Sequence, residues 1–267
     1  MRLAYLIIAH NEFDVLHRLV AALDDERCDI YIHFDAKVKT LPNILTQMSS
    51  LHILEKRVNV RWGTVSQIEA EYALWEEAVK YGPYEQYILL SGTHFPLVPH
   101  DDVVSYFAAR EGQVLVPKME QANAYQVDMK MRRLNFLPGT TFWKAMLKIQ
   151  RVLHIRCHRG VEFYNGGNWV ALTQEAAEWL LSHRRSILRK YRWTFCGDEF
   201  FVPTELMASP LRDTVVFSSD LLKFEIGRSN AKVYSIEDYD ELMASGCIFA
   251  RKLTMENSQS LIERLEK

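Results

Sequence analysis

Ten residues constrain this chain more than any other stretch: Tyr87 to Pro96, reading Tyr-Ile-Leu-Leu-Ser-Gly-Thr-His-Phe-Pro. Four residues suited to a strand covered on both faces run straight into Ser91-Gly92, a turn signal. Strands of that kind belong to α/β proteins, in which helices cover both faces of a mostly parallel sheet. The turn then lies at the carboxyl end of a central strand, the edge where open α/β sheets bind ligands.

The rest of the chain keeps that rhythm. Leu3–Ala9 is an apolar strand ending in His10-Asn11-Glu12, Asp14 is placed to cap a helix carrying Val15, Leu16, Leu19, Val20 and Leu23, and Ile30–Phe34 is the next strand. Strand, helix, strand at this spacing is a βαβ unit. Leu51–Leu54 predicts a third, weaker strand. Ser66-Gln67-Ile68-Glu69 has the Ser-x-x-Glu form of a capping box, opening a helix with Ile68, Tyr72, Trp75 and Val79 on one stripe, which Gly82-Pro83 ends. A helix near Asp101–Phe107 and a strand at Gln113–Val116 follow. Later, Gly166-Gly167 leads into a predicted strand Asn168–Leu172, Thr173 caps a helix, Val215–Phe217 and Leu222–Ile226 read as strands, and Ser235 starts a last capped helix closed by Gly246.

From Lys118 to Arg159 the alternation stops. This segment holds nine Lys or Arg against Glu120 and Asp128, a local balance of +7, in a chain of 267 residues whose net charge is −2. Pro138-Gly139 splits it into two helical pieces, read as an insertion over the carboxyl edge of the sheet within one domain spanning 1–267. Its charge points to an anionic surface such as a membrane, or to a solvated basic face. The overall charge excludes wholesale nucleic-acid binding. Cys28, Cys157, Cys196 and Cys247 form no Cys-x-x-Cys pair, so they read as reduced thiols rather than a zinc site or a disulfide frame. The run Leu3–His10 is too short for a signal sequence or a membrane span, which leads to the expectation of a cytoplasmic protein, free or peripheral at the inner face of a bacterial membrane.

Six motifs in register carry a resemblance across nearly the whole chain. They are His33-Phe-Asp35-Ala-Lys37, Arg61-Trp62-Gly63, Leu90-Ser-Gly-Thr-His-Phe-Pro96, Gly167-Asn-Trp169-Val-Ala-Leu172, Gly197-Asp-Glu199 and Phe249-Ala-Arg-Lys252. Together they resemble the core-2/I-branching enzyme family of β-1,6-N-acetylglucosaminyltransferases and protein xylosyltransferases. The resemblance implies a GT-A-like nucleotide-diphospho-sugar transferase fold, a mostly parallel twisted sheet with helices on both faces. It also implies inverting transfer from a UDP-sugar to a glycan or glycolipid hydroxyl without a metal ion. The donor is expected to be UDP-N-acetylglucosamine or, as the alternative, UDP-xylose.

An inverting displacement needs a general base on the acceptor hydroxyl and positive charge on the leaving diphosphate. The match assigns the base to Glu199. Asp198 is placed to cap a short helix there, which would favour the ionised carboxylate. After the central strand, where metal-dependent relatives place an Asp-x-Asp, this chain has Ser91-Gly92-Thr93-His94; the one Asp-x-Asp, Asp238-Tyr-Asp240, is explained by helix capping. The match therefore assigns the cation to Lys252, with Arg251 beside it and Lys223 or Arg228 as the second basic residue. It places Asp35 on the uracil or ribose, and Trp62, Gly63, Ser91, Gly92 and Trp169 around the donor, with Trp193 a further stacking candidate. His94 stands where many relatives carry Asp, which opens the acceptor question. Two other readings compete: a metal-dependent phosphoesterase built on His10, His33, Asp35 and His94, and a nucleotide-sugar-binding protein without catalysis.

Overall fold

The computed structural model describes residues 1–120, 122–226 and 231–267; the candidate Arg228 lies outside them. The chain opens with β1 (Leu3–Ala9), α1 (Phe13–Leu23), β2 (Cys28–Phe34), β3 (Ser50–Ile53), α2 (Ser66–Val79) and β4 (Gln86–Ser91). It continues through β5 (Phe95–Pro96), α3 (His100–Ala108), β6 (Val114–Pro117), α4 (Ala124–Met131), α5 (Thr141–Val152) and β7 (Ala171–Leu172). Then come α6 (Gln174–Ser182), α7 (Arg184–Tyr191), a 3-10 turn at Gly197–Glu199, α8 (Phe201–Met207), β8 (Val215–Ser218), β9 (Leu222–Phe224), α9 (Tyr239–Ala244), β10 (Phe249–Arg251) and α10 (Met255–Leu265).

Seven strands form one sheet in the order β3-β2-β1-β4-β7-β6-β8, and three form a second in the order β5-β10-β9. The large sheet is parallel except for β7, which runs antiparallel to β4 and β6. The unbroken apolar runs are explained by burial on both faces. Along β1, Leu3, Tyr5, Ile7 and Ala9 enter one core with α1, α3 and α10, while Ala4 and Leu6 enter a second core with α2, α6 and α8. That alternation is the period-two geometry of a strand, with both sides covered. The pairings Ala9 with Phe34 and Ile8 with Ser91 bring three carboxyl ends level, so His10, Asp35 and Gly92 leave the sheet together.

Four local expectations are corrected. Asp14 lies inside the first turn of α1 and does not cap it; the cap position is Glu12, whose carboxylate accepts from the Met255 N–H at 3.1 Å. The Ser66-Glu69 box does not form, because Ser66 Oγ accepts from the Arg61 N–H at 2.7 Å and folds the preceding loop instead. The strand expected at Asn168–Leu172 shrinks to Ala171–Leu172: the Val170 carbonyl still accepts from the Leu89 N–H at 2.8 Å, but the Asn168 side chain turns to Asp198. Ser235 does form its capping box, but the helix behind it is not the last, because α10 follows and packs Leu261 and Ile262 into the first core. The two helices expected between 118 and 160 are α4 and α5, on either side of Pro138-Gly139.

Candidate active site

The central carboxyl edge is organised by Ser91 and His94. The Ser91 N–H donates to His94 Nδ1 at 2.9 Å, and Ser91 Oγ lies 2.8 Å from the same nitrogen and 2.9 Å from Thr93 Oγ1. A ring nitrogen that accepts from a backbone N–H carries no proton, so the imidazole is neutral. Burial, then the nearby Arg251 charge, holds the His94 pKa well below its ordinary value. Beside it, Asp35 is buried, accepts from the Lys37 N–H at 2.8 Å and pairs with Lys37 Nζ at 3.2 Å. His10 stands at the same edge with part of its ring exposed. Desolvation lowers its pKa, the Asp35 carboxylate opposing and the Lys252 and Arg251 charges reinforcing the shift, so all four groups share one region.

Arg251, at the end of β10, is partly buried. Its Nε donates to Ser91 Oγ at 3.2 Å, and its guanidinium lies 5.1 Å from the Trp169 ring centroid and 5.5 Å from that of Phe224. Among the described residues no carboxylate comes within ion-pair distance of it. Desolvation brings its pKa down to about 10, which leaves it charged at neutral pH. Lys252 is likewise unpaired among the described residues, its backbone held by the Tyr234 N–H at 3.0 Å. Lys223 differs: its ammonium sits between Glu225 and Glu241, 2.8 Å from each, and these two acids raise its pKa.

Glu199 lies in the 3-10 turn, partly exposed, with Oε2 2.5 Å from Lys130 Nζ of α4. Asp198 is not a helix cap. It is buried, and its Oδ2 accepts from Gln67 Nε2 at 2.8 Å and Asn168 Nδ2 at 3.4 Å, which ties the turn to α2. Burial, then the Glu199 charge, pushes the Asp198 pKa up to about 7. Glu71 on α2 is wholly buried, and burial and the Asp198 charge raise its pKa well above the usual carboxylate range.

Residues 166–169 join the two halves. The Gly166 N–H donates to the Glu199 carbonyl at 2.9 Å, Asn168 holds Asp198, and Trp169 packs edge-on to His94 at 4.9 Å while lying under Arg251. Trp169 therefore positions the cation. Trp62 is the free aromatic face: it is 73% exposed and packs edge-on to Phe195 at 5.2 Å. Gly63, at φ +73, approaches so closely that a Cβ there would lie 2.5 Å from the Phe195 ring, and its carbonyl accepts from the Cys196 N–H at 3.0 Å. Trp143 of α5 also packs on Phe195, at 5.2 Å, whereas Trp193 packs on Phe136. Lys130, Gln67 and Asn168 were not singled out from the sequence. Lys130 sits in a generally basic stretch that gives it no distinguishing signal, and Asn168 stands inside the Gly167–Leu172 motif.

His10, His33, Asp35 and His94 do not assemble a cation-ligand group. His33 Nε2 accepts from the Val58 N–H at 2.8 Å, and His94 is committed to Ser91. Among the described residues the single cluster of three ligand-type side chains is Asp25, Cys28 and His100, at the opposite, amino-terminal edge of the sheet. The esterase arrangement is therefore not formed.

The sequence model of the Core-2/I-Branching enzyme family matches residues 3–222. Glu199 lies inside that span; Arg251 and Lys252 lie beyond it. The N-acetyllactosaminide β-1,6-N-acetylglucosaminyl-transferase of Mus musculus is 23% identical over 210 residues, covering 74% of this chain and 51% of that protein. The chain thus spans about half the length of the curated relative it matches. Among solved structures, mouse xyloside xylosyltransferase 1 in its apo form is 12% identical with a TM-score of 0.38, over 94% of this chain and 97% of that one. The apo structure of the bifunctional glycosyltransferase WbbM is 10% identical with a TM-score of 0.44, over 99% and 49%.

Proposed function

This chain belongs to the core-2/I-branching enzyme family, and on that premise we propose that it is an inverting glycosyltransferase acting as one domain, 1–267, of GT-A-like fold. The donor is a UDP-sugar, UDP-N-acetylglucosamine before UDP-xylose, and the acceptor is a hydroxyl of a glycan or glycolipid. The observation that carries the reading is that residues 166–169 bond the Glu199 backbone and the Asp198 carboxylate at one end and pack under Arg251, unpaired among the described residues, at the other.

The acceptor hydroxyl gives its proton to Glu199 as its oxygen bonds to the anomeric carbon. The bond from that carbon to the diphosphate oxygen breaks in the same step, and UDP leaves with the negative charge. Arg251, a planar fork already oriented by Ser91 and Trp169, meets that charge together with Lys252. Lys223, held by two carboxylates, is the weaker choice for a second phosphate contact. With two cations supplied by side chains, no metal is required. Asp35 takes the uracil or ribose, and Trp62 offers its face to a sugar. The basic 118–160 segment gives peripheral contact with an anionic membrane at its cytoplasmic side.

The test pairs binding with turnover. UDP should raise the melting temperature equally in EDTA and in manganese, and strict dependence on a divalent ion would defeat the cation assignment. Glu199→Gln should keep donor affinity and lose turnover by roughly a hundredfold to ten-thousandfold, the usual worth of a general base. Normal turnover by that variant on a verified acceptor would remove Glu199 from the mechanism.

A further inference from the structure

We propose that α5 and the arginine-lined recess behind it form a docking face for the surface of an anionic lipid bilayer, with an apolar stripe of the helix sunk into the interface. This deepens the membrane part of the proposed function and does not depend on sugar transfer.

The helix α5 has three distinct sides. Leu147 and Gln150 are buried, with Trp143 and Met146 beside them on the inward arc. Lys144, Lys148 and Arg151, spaced i, i+4, i+7, make an exposed basic line. The remaining arc carries Phe142, Ile149 and Val152, continued by Leu153, and these are 52%, 48%, 75% and 62% exposed. A scattered exposed leucine needs no explanation, but four large apolar side chains on one arc beside a basic line do. Seven of the eighteen exposed large apolar residues among the described residues fall between Tyr125 and Ile155. Twelve residues make a helix of roughly 18 Å, too short to cross a bilayer and suited to lying in its surface. No helix among the described residues is long and apolar enough to span a membrane.

Arg132, at the end of α4, and His154, Arg156 and Arg159, just past α5, line a recess of about 340 Å³. Arg156 Nε pairs with Asp128 at 2.8 Å and Arg132 donates to the Val161 carbonyl at 3.1 Å, while Arg159 has no carboxylate partner among the described residues. A lipid phosphate fits that chemistry at the end of the apolar stripe. The charge also selects the occupant. Lys144, Lys148 and Arg151 on α5 and Arg132, Arg156 and Arg159 at the recess make six basic side chains, against which Asp128 is the one paired acid, so this face repels a second copy of itself and matches an anionic headgroup layer.

The experiment is vesicle flotation of the full chain, with phosphatidylcholine alone and with phosphatidylcholine containing phosphatidylglycerol, at low and high salt. Binding is expected to be much stronger with the anionic vesicles, weakened but not abolished by salt because the stripe contributes independently of charge. Ile149→Asp with Val152→Asp should cut partitioning at least about tenfold without moving the melting temperature. If that double variant does not melt cooperatively, Lys144→Glu with Lys148→Glu tests the same face and should bind as weakly. The proposal is overturned by equal binding to neutral vesicles, by no binding to anionic ones, or by a variant that floats like the wild type. It is equally overturned if light scattering shows a dimer that either variant dissolves, since a second copy would then cover the face. Loss of transfer to a soluble acceptor with flotation intact would strike the reaction and leave this face standing.

Discussion

Arg251 and Lys223 carry the same charge on adjacent strands of one small sheet, and their surroundings divide their roles. Two carboxylates already neutralise Lys223, while Arg251 faces aromatic rings and a hydroxyl. Arg251→Met should therefore leave the unliganded melting temperature within a few degrees of the wild type and weaken UDP roughly tenfold to a hundredfold, the worth of charge-assisted hydrogen bonds. Titration calorimetry with UDP and uridine checks this: equal loss for both ligands would mean that the diphosphate is not its partner. Asp198 supplies a pH effect. Its folded pKa of about 7 lies above the reference value of 3.8, so the unfolded chain releases this proton first as pH rises. Stability contributed by the neutral form is thus present below about pH 4 and is lost progressively up to about pH 7, a swing on the order of 4 kcal/mol. Asp198→Asn should flatten the decline of melting temperature between pH 5 and pH 7; an unchanged slope would assign the decline to other groups, Glu71 first. In sequence Asp198 reads as a cap because an acid before a helix obeys a local rule, whereas its partners Gln67 and Asn168 lie 131 and 30 residues away. The Lys130–Glu199 pair, separated by 69 positions, leaves no local pattern either.

At the scale of elements, the strands of the central sheet were legible and the connections less so. β1, β2 and β4 are buried almost throughout and mainly apolar because both their faces are covered, a property that composition along the chain records directly. The segment before β7 reads as a strand in sequence, yet only Val170 in it bonds to β4, while Gly166 and Gly167 just ahead donate to the Glu199 and Pro117 carbonyls and the Asn168 side chain goes to Asp198, contacts that no periodicity announces. Gly166 is the sensitive point. A Cβ there would run into Val116 Cγ1 on β6, and one at Gly167 would lie 2.9 Å from the Pro117 ring. Gly166→Ala should cost about 1–3 kcal/mol by overpacking. It should also lower both UDP affinity and turnover, because Asn168 and Trp169 move with the backbone. A destabilised variant with unchanged kinetics would show that this segment supports the fold without aligning the two halves of the site.

For the molecule as a whole, the terminal helix α10 returns to α1. Leu261 and Ile262 are fully buried against the first core, while Arg18 pairs with Glu266 at 2.6 Å on the surface. Burial and the ion pair make different demands, so Leu261→Ala should cost about 2–5 kcal/mol and Arg18→Ala less than about 1 kcal/mol. Denaturant unfolding of both variants decides which contact fastens the end of the chain. The site depends on this closure, because Leu253 donates to the Thr93 carbonyl at 3.0 Å just before α10 begins, beside the strand that holds Arg251. The large sheet supplies Ser91 and, just past β2, Asp35; the 3-10 turn supplies Glu199, and the small sheet supplies the arginine.

The contact between Lys130 and Glu199, reinforced by the Phe195 N–H donating to the Lys130 carbonyl at 2.9 Å, limits how this protein can be recombined. Exchanging 118–160 for the corresponding stretch of another sequence, to graft on a new acceptor preference, would also replace the ammonium that holds the carboxylate. Chimeras that retain a lysine at position 130 and a backbone path meeting Phe195 should keep turnover. Those that transplant surface chemistry alone should bind their new acceptor and leave it unmodified.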